Sequence, residues 1–256
     1  MTTVEMVLSS LCELAPLERK LDFDNVGLLV GDARQSVFSV LLTLDITKDV
    51  IEEAGTKGCQ LIVSHHPLFF SLPKALRFDC PETANVAQLL QSGVSAVCMH
   101  TNLDLAAGGV NDVLLTRLQL APAGAFGEDA LGRVGFVQEE MPAGAFAAFV
   151  KQALGCRVVR FVDAGRPVSK VAVVGGSGGD QIEAALLAGC DTLVTADVKH
   201  HQFLEAQDRA FNLIDAGHYH TERPVLDAVY ALLQQRHPEL TLLRSSALEQ
   251  DRVLIV

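Results

Sequence analysis

The chain is 256 residues long, 49% hydrophobic and 20% charged, which excludes a disordered protein and leaves room for one large domain or two smaller ones. Its 20 basic and 31 acidic side chains give a net charge of −11, which argues against a protein built mainly to grip a nucleic-acid backbone. The N-terminus lacks a basic region followed by an apolar run, no stretch reaches the roughly 18 apolar residues of a membrane span, and the six scattered cysteines form no C-x-x-C pair, so the expected setting is a reducing cytoplasm.

Apolar runs rich in Val, Ile and Leu alternate with helix-patterned segments. In chain order the pattern predicts a helix over 3–14, a strand over 38–44, a helix over 48–57 and a strand over 61–64. A helix over 82–91, a strand over 94–99 and helices over 110–118 and 143–154 follow. Then come strands over 157–161 and 171–174, a helix over 181–188, a strand over 192–195, a helix over 201–208, a strand over 212–215 and a helix over 222–234. A last pair of strands is predicted at 240–243 and 253–256. Thr47 and Thr221 are positioned as helix N-caps. Alternation of buried strands and helices points to an α/β fold with mostly parallel sheets.

Residues 49–64 align without a gap on residues 180–195, sharing Asp, Ile, Glu, Ala, Gly, Cys and Val at identical offsets, and the preceding strands match as well. A duplicated strand–helix–strand unit is the expectation. The predicted organisation is two related, intertwined α/β lobes with a metal site at the carboxyl ends of strands between them. The first lobe is expected over 1–125 joined by 223–256, the second over 126–222, with the Ala-, Gly- and Pro-rich segment 121–128 as linker.

Seven of the eight histidines fall in four clusters at predicted strand ends: His65-His66-Pro67, His100 with Asp104, His200-His201, and His218-Tyr219-His220 with Glu222. Ligands of open α/β sheets bind at such ends. Imidazole with carboxylate is a donor set for zinc, iron, manganese or a similar divalent ion. His218 and Glu222 can converge from the start of a helix, and His100 and Asp104 repeat that spacing of four. Two ions about 3.5–4 Å apart would activate water at neutral pH and clamp a phosphate or carbonyl oxygen. His200 and His201 sit at a helix start and either line the site or merely begin the helix. His220 fits a supporting role better than a ligand, and His237 reads as plain surface.

The chain resembles the GTP cyclohydrolase 1 type 2 homologues, also called NGG-one-interacting-factor-three-like dinuclear metal-centre proteins. The matching stretches are Asp24-Asn-Val-Gly-Leu-Leu-Val-Gly31, Leu42-Thr-Leu-Asp-Ile-Thr47, Ile62-Val-Ser-His-His-Pro67, His100-Thr-Asn-Leu-Asp104, Gly175-Gly-Ser-Gly-Gly179 and Asp215-Ala-Gly-His-Tyr-His-Thr-Glu222. They cover nearly the whole chain in order. The resemblance implies two divalent ions held by His65, His66, Asp104, His218 and Glu222, with the carboxylates bridging and His100 orienting a ligand or transferring protons. It also implies a toroidal homohexamer with the metal sites facing an internal cavity. Phe23 stands where members often have Trp, a change expected to alter packing only.

Asp24-Asn25 reads as a turn, with Gly27 and Gly31 supplying unusual backbone angles. Asp45 either supports a ligating histidine or caps the following helix. The Gly175–Gly179 loop sits between a strand and a helix, where its amides can cradle an anion, but it is neither a Walker A loop nor G-x-G-x-x-G. The leading reading is a metal-dependent hydrolase of a phosphorylated small molecule or nucleotide, with His100 as the catalytic acid or base. A non-catalytic metal storage, delivery or regulatory scaffold is the alternative. A ring that threads nucleic acid is disfavoured by the charge, and no membrane partner is expected.

Overall fold

A computed structural model describes residues 1–247 and 251–253. The chain opens with α1 (Val4–Leu14), β1 (Gly27–Val30), β2 (Ser39–Thr43), α2 (Lys48–Thr56), β3 (Leu61–Ser64), α3 (Pro81–Ser92), β4 (Ser95–Cys98) and α4 (Thr101–Leu105). It continues with α5 (Val110–Arg117), β5 (Ala121–Phe126), β6 (Gly132–Met141), α6 (Ala143–Leu154), β7 (Arg160–Val162), β8 (Val168–Ser177), α7 (Ile182–Leu187), β9 (Thr192–Ala196) and α8 (His200–Asp208). Last come β10 (Asn212–Asp215), α9 (His218–Glu222), α10 (Val225–Arg236) and β11 (Thr241–Arg244). Two compact α/β units result, 1–107 with 226–252, and 108–225.

The first unit holds a five-stranded sheet in the order β1-β4-β3-β2-β11. β4, β3, β2 and β11 run parallel, and β1 closes the edge antiparallel to β4. Every residue of β3 and β4 is buried, as expected of strands covered on both faces. Leu41, Ile62 and Ala96 pack with Val50, Ile51 and Ala54 of α2 and Leu89 of α3. Thr47 caps α2 as expected, accepting from the amide of Val50. Gly31, at φ +117, lies so close to Ser95 that an added Cβ would stand 2.0 Å from its Oγ. Only glycine fits there.

The second unit holds a six-stranded sheet in the order β5-β6-β8-β9-β10-β7. Its centre, β8-β9-β10, is parallel, and the flanking pairings are antiparallel. Alternate residues of β8 serve opposite faces, as strand geometry requires. Val171 and Val173 join Leu114 of α5 with Phe146 and Val150 of α6. Ala172 and Val174 join Ile182 and Ala185 of α7 with Phe211.

The duplication is visible in the register. β2 pairs Val40 with Leu61 on β3, and β8 pairs Val171 with Thr192 on β9, a common offset of 131 residues (171 − 40 and 192 − 61). The third strands match too: Met99 donates to the Ser64 carbonyl, and Ala216 to that of Thr195. The paired Cys59 and Cys190 are buried, and burial raises both thiols, Cys190 to about 11.

Several expectations change. The segment 121–128 is no linker, because β5 is an edge strand on β6, where a proline costs no ladder bond to a further neighbour. Residues 108–125 accordingly go with the second unit, since Leu114, Leu115, Leu118 and Leu120 pack into its core. The helix expected over 222–234 is two helices, broken at Pro224, which has no amide proton. Thr221 lies inside the first of them instead of capping the second. His237 is buried, not surface, and its Nε2 meets Ser10 Oγ of α1 at 2.9 Å. The strand expected over 253–256 lies, apart from Val253, outside the described residues. No helix among the described residues is long and apolar enough to cross a membrane.

Candidate metal centre

In the first unit the ends of β3 and β4 bring three imidazoles together. Pro67 follows the β3 pair at once, and the amides of His65 and His66 are held by the Thr43 and Leu44 carbonyls. The candidate ligand atoms of His65, His66 and His100 lie within 4.8 Å of one another, close enough to hold an ion. Each ring is turned by its Nδ1. That of His65 donates to the Met99 carbonyl at 2.9 Å, that of His66 to Asp45 at 2.8 Å, and that of His100 to Asp24 at 2.9 Å. In a neutral ring this fixes the proton on Nδ1 and leaves the lone pair on Nε2. An outer oxygen acceptor of this kind is the usual support of a metal-ligating histidine.

His65 Nε2 faces Asp104 Oδ1 at 3.6 Å. A lone-pair nitrogen and a carboxylate oxygen at that spacing suit a shared cation, whose nitrogen and oxygen ligands each sit about 2.0–2.2 Å away. Asp104 reaches this place because α4 begins directly after His100, whose carbonyl accepts the Asp104 amide. Asp24 is the anchor of His100. Burial opposes its ionisation, but hydrogen bonds from His100 and from the Thr101 hydroxyl and amide prevail and hold the carboxyl well below the ordinary range.

In the second unit the corresponding elements are β9, β10 and α9. His218 opens α9 and Glu222 closes it, so one helical turn sets His218 Nε2 3.1 Å from Glu222 Oε2. His218 Nδ1 donates to Asp197 at 2.7 Å. Asp197 is held at φ 54, a left-handed angle uncommon for a residue with a side chain. The glycine loop explains itself here. Gly176 has φ +64, and a Cβ on it would stand 2.2 Å from Glu222 Oε1 and 3.3 Å from the His218 ring. The expected anion cradle does not form at its start: the Gly175 amide donates to Asn111 and the Gly176 amide to Thr221. The glycines let the backbone pass close to other side chains, Glu222 first among them.

Residues 2–250 match the Duf34/NIF3 (NGG1p interacting factor 3) family. The chain belongs to this family. A GTP cyclohydrolase 1 type 2 homolog of Clostridium perfringens is 33% identical over 231 residues, 88% of either chain. One from Nostoc is 36% identical over 216 residues, 81% of this chain and 80% of the relative. Among solved structures, a hypothetical protein of Staphylococcus aureus superposes with a TM-score of 0.90 at 27% identity, covering 99% of each chain. A Bacillus cereus protein related to NIF3 has the same TM-score at 24% identity, covering 100% of this chain and 99% of that one. The two-lobed α/β architecture is therefore that of the Duf34/NIF3 fold.

Of the singled-out residues, His65, His66 and His100 gather in one cluster, Asp104 faces His65, and His218 pairs with Glu222. His200 and His201 are exposed at the start of α8 and belong to no ion-sized group among the described residues. His220 stacks edge-on against Tyr219. Two residues went unrecognised in sequence. Asp24 read only as a turn, and Asp197 carried no signal except its alignment with His66 in the repeat. Asp45 is the support for His66 that the sequence allowed. Phe23 is 62% exposed.

Proposed function

We propose that this Duf34/NIF3 protein is a metal-dependent hydrolase of a phosphorylated small molecule or nucleotide, with two divalent ions ligated by His65, His66, Asp104, His218 and Glu222. The observation that carries this reading is the shared orientation of His65, His66, His100 and His218. All four give Nδ1 to an oxygen acceptor at 2.7–2.9 Å, which turns Nε2 to the candidate ligand position. When bound, such ions supply Lewis-acid polarisation of a phosphoryl or carbonyl oxygen and a nucleophile at neutral pH. The residues of the chain do the rest. Asp45 and Asp197 hold the His66 and His218 rings in place, and Asp24, kept ionised, holds His100. His100 Nε2 then carries the proton to or from the reacting group. The names of the relatives, GTP cyclohydrolase 1 type 2 homologs, support a nucleotide as substrate. The family resemblance supports assembly as a toroidal homohexamer, and six cysteines without disulfides suit a reducing cytoplasm.

The test is metal-loaded protein incubated with GTP and a panel of phosphoesters. Turnover that disappears in His65→Ala is the expected result. Wild type that matches His65→Ala on every substrate would sink the enzyme. Sedimentation velocity of the same preparation tests the hexamer. A storage or delivery protein is the second reading, favoured by the three imidazoles of the first unit, which could hold an ion with no substrate present. It predicts ready exchange of ions with a chelator and no turnover.

A further inference from the structure

We infer that Phe23 and Phe70 form a stacking ledge for a planar heteroaromatic ring, such as a nucleobase, carried by the substrate. This rests on the hydrolase reading and narrows its substrate class. Phe23 is 62% and Phe70 54% exposed. Their ring centroids lie 6.0 Å apart with the planes tilted by 51°, inside the range in which aromatic rings attract one another. Phe70 in turn lies 5.9 Å from the His100 ring, and His100 lies 5.2 and 5.7 Å from His65 and His66. A row of rings thus leads from open surface to the imidazole cluster, apolar at its outer end and ligating at its inner end.

The ledge is tied to the same scaffold as the ligands. Phe23 precedes Asp24, whose carboxylate holds His100 and Thr101. Phe70 follows Phe69, whose carbonyl accepts from the Asn25 side chain at 3.0 Å. Asp24 and Asn25 therefore set the two phenyl rings and the His100 imidazole from one turn. A substrate with its reacting group at the histidines would lay a planar ring on the exposed phenyls, and a ringless phosphoester would leave them wet. Stacking of this kind tolerates any base, because every base has a π-face.

The chain contains no Trp, so Phe23→Trp places a single indole on the ledge. Full-length, metal-loaded protein would be titrated with guanosine 5′-monophosphate and, separately, with ribose 5-phosphate. The nucleotide is expected to quench the indole and the sugar phosphate to leave it unchanged. In calorimetry, Phe70→Ala is expected to weaken nucleotide binding about tenfold, within the range for one stacked base, with ion content unaltered. Equal affinity for both ligands, unaffected by Phe70→Ala in folded protein with its ions, would overturn the ledge. So would a Phe70→Ala variant that changes assembly size but keeps its nucleotide affinity, which would assign the rings to contact between copies. Stacking without turnover of any phosphoester keeps the ledge and removes the hydrolase. Turnover of ringless phosphoesters as fast as nucleotides does the reverse.

Discussion

The two units share a strand–helix–strand core in the same register and carry different chemistry on it. After β3 stand His65 and His66; at the aligned places stand Ala196, the last residue of β9, and Asp197, the residue after it. In the first unit the imidazole sits at that strand end, and Asp45, from the turn after β2, orients it. In the second the carboxylate follows the strand end and orients an imidazole from the start of α9. Asp45 aligns with Gly176, and where the first unit projects a carboxylate the second leaves space that Glu222 fills. The lesson concerns which part of a duplicated unit is free to change. Ladder hydrogen bonds and alternate apolar positions hold the register whatever the side chains at the ends. Strand ends and the loops beyond them carry no such constraint, and function collects there.

The largest effects are expected at the ligands. Asp104→Ala in one unit and Glu222→Ala in the other should each remove bound ion, as should His65→Ala. Elemental analysis of protein purified without chelators reads the loss. Retention of about two ions per chain in both carboxylate variants, the count a dinuclear centre implies, would refute the assignment.

The next largest effect tests the glycine–aspartate contrast. Gly176→Ala must adopt a left-handed φ and drive its Cβ into Glu222, so a stability loss of at least about 2 kcal/mol is expected in denaturant unfolding. Asp45→Ala, at the aligned position, should leave the fold intact and lower ion affinity roughly 10–100-fold, as loss of an outer carboxylate does. Equal unfolding midpoints for Gly176→Ala and wild type would show that the contact is not tight.

Glu53 sharpens a third difference, because its partner in the repeat is Ala184. Glu53 is partly desolvated, which opposes ionisation, but Lys57, Ser245 and Ser246 donate to it and hold its carboxyl below the ordinary range. A depressed folded-state value stabilises above the unfolded carboxylate value of about 4.3 and is lost as pH falls through the folded one. Glu53→Gln should therefore cost roughly 1–2 kcal/mol at pH 7. The gap to wild type should narrow below about pH 4. A gap that stays constant from pH 7 to pH 3 would show that charge plays no part.

The smallest effect concerns the helix starts. Thr47 caps α2, whereas the aligned helix α7 begins after Gln181 without a side-chain cap. Thr47→Ala should cost about 0.5–1 kcal/mol. Gln181→Ala should cost almost nothing, and thermal melts of the two variants make the comparison.

Much of the centre could be seen in the chain because its donors stand in short runs. His65-His66-Pro67 ends a strand of Leu, Ile and Val, and the spacing of four in His218–Glu222 becomes one helical turn. The supporting carboxylates could not be seen in the same way. Asp24 and His100 are 76 residues apart and Asp197 and His218 are 21 apart, so no local pattern joins them. The edge strand β5 and its neighbour β6 were missed because their sequences, one rich in Ala, Gly and Pro and the other in Glu at its end, lack the buried apolar run that marks β3 or β9.

The sequence alone determined the duplicated α/β core, since apolar periodicity and an ungapped internal match are local records of which faces are buried. It also marked the residue types able to bind a metal. Which way each imidazole turns is settled by folding, because it depends on an oxygen brought in from another part of the chain. Folding likewise decided that the glycine loop makes room for Glu222, that His237 is buried against Ser10, and that Phe70 stands exposed between His100 and Phe23. Each of these is a distance between residues far apart in the chain, and such distances are fixed only when the sheets close their packing.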